Sequence, residues 1–137
     1  MNDSKILNEN DVATCLAAAG TEARTNGWKV AIAVTDAGGH LLGYLRQDGA
    51  SPMSGQIALA KARTAALSKR ETRFFEELLT SGRSAFLSVN DMTILEGGVP
   101  VLFDGACLGG VGVSGATSEQ DAQVAHAGVA ALLSAQG

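Results

Sequence analysis

The chain has 137 residues, with 14 acidic against 10 basic side chains spread along it and a net charge of −4, which suits one domain over residues 1–137 and leaves no basic patch to neutralise nucleic-acid phosphates. No apolar run has the length of a membrane span, and the polar, acidic stretch 1–9 lacks the basic and apolar regions of a signal peptide, so a cytoplasmic protein is expected. Cys15 and Cys107 are too few and too far apart for a redox or zinc motif and read as small buried hydrophobes.

Asn8 is placed to cap a first helix over about residues 9–26. Asp11 stands at the answering position of a capping box, Leu7 and Val12 where a hydrophobic staple closes, and Gly27 where a left-handed residue ends the helix. Val30, Ile32 and Val34 then alternate with Lys29, Ala31, Ala33 and Thr35, the period of a strand buried chiefly on one face. A turn at 36–39 returns the chain as a second strand over 40–47. Ser51 and Pro52 open a helix running to about Ser68 with Met53, Ile57, Ala60, Thr64 and Leu67 along one face, and a shorter helix follows over about 71–80. Residues 83–98 read as a loop with a short strand near Thr93 to Leu95, the place for a mobile cover over a pocket.

Two apolar runs, 99–103 and 106–113, flank Asp104-Gly105, a pair suited to the two positive-φ positions of a type I′ turn, so they are predicted to form a hairpin. Thr117 and Gln120 then form a second capping box, opening a final helix over about 118–135 rich in alanine, with Gly128 in its middle. Small side chains on that scale imply close packing against the sheet or a neighbouring subunit. The order of elements predicts an α+β domain, an antiparallel sheet with helices packed on it.

The segment GGVPVLFDGACLGGVGVSGATSEQD, preceded by DAGGHLLGYLRQDG at 36–49 and IALAKARTAALSKRET at 57–72, resembles the haem-degrading-domain family, which includes glycolate-operon G proteins and hemin-binding HbpS-like proteins. The resemblance runs from about Val30 to Ala131. It implies a profilin-like or PAS-like arrangement and points to haem or a related tetrapyrrole as ligand.

For ligand binding the candidates are Arg46, Lys61, Thr64, Gly97, Gly98 and Gly115. Lys61 borders the apolar helix face, where it either anchors a carboxylate or lays its stem on apolar surface with the charge in water. Arg46 has a fork that holds either Asp48 or an incoming acid. Glycines at 97, 98 and 115 expose backbone N–H groups that attract anions, or else permit tight packing of strand on helix. A pocket between sheet and helices, with the two cations gripping carboxylates or haem propionates, describes a self-associating accessory protein for a small anionic or amphipathic ligand. The alternatives are a cofactor-free enzyme of small-acid catabolism in which Glu96 moves a proton, and a purely structural accessory subunit. Ser114 lacks the glycine spacing of a nucleophile elbow. His40, at a turn, is the weak candidate for a metal or axial haem ligand, while His126 reads as packed within the last helix.

Overall fold

The computed structural model describes residues 5–136; the first four residues of the polar N-terminal stretch and Gly137 lie outside the described residues. Its elements are α1 (Glu9–Thr25), β1 (Ala31–Asp36), β2 (Leu41–Arg46), α2 (Pro52–Ser68), α3 (Thr72–Thr80), a 3-10 turn (Ser84–Ser88), β3 (Gly98–Phe103), β4 (Ala106–Ser114) and α4 (Ser118–Ser134). The four strands form one sheet in the order β2-β1-β4-β3, antiparallel throughout. This is the α+β class that the order of elements predicts.

Local chemistry accounts for where the elements begin. The Asn8 and Thr117 side chains accept from the backbone N–H of Asp11 and Gln120, and those residues' side chains accept in return from the cap N–H groups, so four otherwise orphaned donors are satisfied. At α2 the expected cap differs: the Ser51 side chain makes no bond to the helix backbone, and its hydroxyl pairs instead with that of Ser54. In the hairpin, Asp104 and Gly105 have φ of 51° and 79°, as a type I′ turn needs.

Packing builds a three-layer arrangement. One face of the sheet, with Ile32, Val34, Val111 and Val113, meets Cys15 and Ala19 of α1 and Val124 and Leu132 of α4. The other face, with Ala31 and Ala33, meets Ala58 and Ala62 of α2. Expected to bury chiefly one face, β1 is therefore buried on both, because it runs through the middle of the sheet between helix layers.

The seat of α2 is a track of glycines. A Cβ at Gly98, Gly110 or Gly112 would fall 2.4, 2.2 or 2.0 Å from the carbonyl oxygen of Lys61, Ala62 or Ala58 respectively. Absent side chains let the helix backbone lie directly on the strands, which compensates for the entropic cost of glycine there.

Between α3 and β3 the structure corrects the expected short strand near Thr93 to Leu95. No strand forms; the Thr93 N–H donates instead to the buried Thr64 hydroxyl at 2.9 Å, so a side chain of α2 takes the place of a sheet partner.

Candidate functional site

Lys61 lies inside the protein. It retains 2 % of its accessible surface, and its ammonium donates to the Val113 carbonyl at 2.8 Å and to Asp121 Oδ2 at 3.1 Å. Asp121 is equally enclosed, and its other oxygen accepts from the Ala116 N–H at 2.9 Å. Burial pushes the Asp121 carboxyl up, with the Lys61 ammonium pulling against it. Thus the pair ties α2 to the end of β4 and the first turn of α4. Gly97 covers it: at φ 132°, a Cβ there would stand 2.7 Å from the ammonium nitrogen.

Thr64 and Gly98 are engaged beside it. Thr64 receives Thr93, while the Gly98 N–H donates to the buried Thr72 hydroxyl at 2.9 Å. Gly115, at φ 139°, faces the Lys29 carbonyl, which a Cβ would meet at 2.5 Å.

Arg46 lies apart from these groups, exposed at the end of β2. It lines a cleft of about 390 Å³ with Arg24, Trp28, Lys29 and Asp48. No ion pair joins it to Asp48 among the described residues. Gly115 lines an adjoining cleft that shares Trp28 and Lys29. The six positions therefore fall into two sets, Lys61, Thr64, Gly97 and Gly98 under α2, and Arg46 and Gly115 flanking the 27–29 connection. Lys61 is a wall of neither cleft at that connection.

His40 has a structural partner. Its Nδ1 is 3.2 Å from Asp36 Oδ1, which also accepts from the N–H groups of Gly38 and His40, both at 2.9 Å. The His40 backbone bond is foremost in holding the Asp36 carboxyl below its ordinary value. Among the described residues, no three His, Cys, Asp or Glu side chains cluster as a metal site would require.

At the β3 edge of the sheet is a groove of about 450 Å³ with a different chemistry. Pro100, Leu102, Val129 and Leu133 form apolar walls, and Lys69 and Arg70 stand at the turn between α2 and α3. The Arg70 guanidinium lies 4.2 Å from the centre of the Phe74 ring, which also lines the groove. His126 is half exposed on its border, with Nε2 3.1 Å from Glu71 Oε1. Instead of packing inward, it shares a flank of α4 with Val129 and Leu133. The spacing 126, 129, 133 is one helical stripe and was the signal available in the sequence.

His126 and Glu71 also border a neighbouring acidic cleft of about 590 Å³, which Glu76, Glu77, Glu96, Glu119 and Arg73 line. The Glu96 N–H donates to Glu76 Oε1 at 2.7 Å, and burial is the main cause raising the Glu96 carboxyl, with Arg73 opposing.

Both cysteines are free. Cys15 is enclosed and its thiol is pushed up to about 12 by loss of solvation, whereas Cys107 is half buried, its sulfur 3.4 Å from the Gly109 carbonyl. Since the thiolate is the reactive form, Ellman's reagent is expected to titrate no more than one thiol per native chain and both after unfolding. Two fast equivalents in the native protein would contradict the packing of Cys15.

Comparison with known proteins agrees with the architecture. Protein GlcG of Escherichia coli K12 is 49% identical over 114 residues, covering 83% of this chain and 85% of GlcG. A double mutant of Streptomyces reticuli HbpS superposes with a TM-score of 0.86 at 34% identity, over 95% of this chain and 89% of that one. The crystal structure of the PduOC–haem complex superposes with a TM-score of 0.84 at 27% identity, over 93% and 95%. The family described as haem degrading protein HbpS-like matches residues 7–130, and with this fold and these relatives the chain belongs to that family.

Proposed function

We propose that this protein is an accessory binder of haem or a related tetrapyrrole, seated in the groove between the α2–α3 turn, β3 and α4. The observation that carries the reading is the groove's combination of apolar walls, two adjacent cations and an imidazole. A tetrapyrrole is flat and apolar with carboxylates at one edge. Apolar side chains suit its face, Lys69 and Arg70 its carboxylates, and His126 an iron at its centre. The similarity to a protein crystallised with haem supports the choice of ligand. Haem, when bound, supplies a redox-active iron; the chain contributes walls, charge and an imidazole held by Glu71.

Turnover of a small carboxylic acid is less well supported. Glu96, with its raised carboxyl, has the character of a general acid, but it stands among glutamates that repel an anionic substrate. Self-association is part of the proposal too: the edge strand β2 exposes Leu41, Leu42 and Tyr44, apolar surface that pairing with a second copy would cover while leaving Leu45 and Arg46 to the cleft they line. Light scattering is expected to give a particle of at least twice 13.9 kDa.

Hemin titration of the full chain tests the reading. A saturable Soret shift is expected, displaced in position by His126→Ala and weakened about tenfold or more by Arg70→Ala, since a charge-assisted hydrogen bond is worth about 1.5–3 kcal/mol. Nonsaturating absorbance that is the same in both variants would refute it.

A further inference from the structure

The cleft at the β2 edge of the sheet, opposite the β3 edge that carries the groove above, has an unusual charge for this chain. In a protein of net charge −4, three cations, Arg24, Lys29 and Arg46, face one carboxylate, Asp48. None of the three cations makes an ion pair among the described residues. Beside them stands Trp28, half buried and packed on the main core.

The frame that carries these groups is rigid. Gly27, at φ 76°, turns the chain at the end of α1, and the N–H groups of Gly27 and Trp28 donate to the carbonyls of Arg24 and Ala23 at 3.1 and 2.9 Å, a closed C-terminal cap. Gln47 joins three elements: its backbone N–H and side-chain oxygen both pair with Val30, and its side-chain amide donates to the Gly20 carbonyl in α1 at 3.1 Å. Arg46 is therefore followed by a residue that ties α1 to Val30, the position just before β1. Lys29 lays its stem over Gly49, where a Cβ would come within 2.4 Å of the lysine Cδ. The adjoining cleft, which shares Gly27, Trp28 and Lys29, reaches Thr117 at the start of α4.

We infer that this cleft is a binding site for a small dianion, a dicarboxylate or an organic phosphate, whose flat or apolar portion rests against Trp28. Two guanidinium forks and an ammonium provide for two negative charges, and fork geometry matches carboxylate and phosphate alike. A volume of about 390 Å³ falls within the range of small-molecule sites. This site is independent of the tetrapyrrole groove.

The chain's single tryptophan is Trp28, so its fluorescence reports on this cleft directly. The full chain is titrated with isophthalate and with phenyl phosphate as dianions, and with benzamide as the uncharged control. Saturable change with at least one dianion is expected, with the midpoint moved about tenfold or more to higher concentration in Arg24→Ala and in Arg46→Ala, and further by added salt. Tighter binding of phenyl phosphate identifies phosphate esters as the ligand class, and tighter binding of isophthalate identifies dicarboxylates. Both arginines are exposed, so the variants are expected to keep the wild-type melting temperature. No saturable response to either dianion, an equal response to benzamide, or an unchanged midpoint in the double variant overturns the inference.

Discussion

Replacing Lys61 with methionine is expected to destabilise the protein by about 3–5 kcal/mol, the usual loss when one member of a buried ion pair is removed. The reason is what remains behind. Asp121 stays enclosed with one oxygen on the Ala116 N–H, while its other oxygen and the Val113 carbonyl lose the ammonium that both accept from. Restoring neutrality is expected to recover much of the loss, so Lys61→Met/Asp121→Asn should be more stable than Lys61→Met alone. Asparagine keeps an oxygen for Ala116 and removes the stranded charge.

The loss should also depend on pH in a definite direction. Burial raises the Asp121 carboxyl even with Lys61 present. Without Lys61 the opposing pull is gone, so the folded state favours the protonated acid more strongly. A folded pKa above the unfolded one contributes stability that is complete below the unfolded value and is lost as pH rises through the folded value. The penalty of Lys61→Met is therefore smallest in acid and grows toward neutral pH. Urea unfolding of the wild type, single and double variants at several pH values measures this. A single variant that loses less than about 1 kcal/mol at neutral pH, far below a buried-pair loss, would show that Lys61 is not committed to Asp121.

Gly112→Ala is expected to cost about 1–3 kcal/mol or more, the scale of overpacking a close-packed interior. The new methyl would lie 2.0 Å from the Ala58 carbonyl oxygen and 2.4 Å from the Ala62 nitrogen. Both are backbone atoms inside α2, so no side chain can rotate away. Either the helix lifts from β4 or the strand is displaced. In a chain of 137 residues that corresponds to a melting temperature lower by roughly 4–12 °C. An unchanged melting temperature would mean that α2 is not seated on the glycine track as described.

Several features were legible in the sequence because neighbours in the chain decide them. The two capping boxes, the Asp104-Gly105 turn and the glycine end of α1 each depend on residues within a few positions of one another. Their atoms meet however the rest of the molecule folds. Apolar alternation in β1 marks a strand, but periodicity cannot report that a second helix layer covers the opposite face. The strand expected near Thr93 failed for a related reason. Its backbone donor is satisfied by Thr64, which is 29 residues away.

The candidate sites divide in the same way. Residue types alone marked Lys61 and Arg46 as anion partners, since an ammonium and a guanidinium carry that chemistry wherever they stand. Tertiary packing assigned their partners. Asp121, 60 positions from Lys61, occupies its ammonium, while Arg46 is left exposed beside Arg24, Trp28 and Lys29. His126 likewise took its place on a groove only when α4 came to lie beside β3. Sequence determined the elements, their ends and the available chemistry, because these rest on local hydrogen bonds and side-chain type. The sheet order β2-β1-β4-β3 decided which charges are buried together and which share a cleft, because burial and Coulomb energy depend on distances that only the assembled layers set.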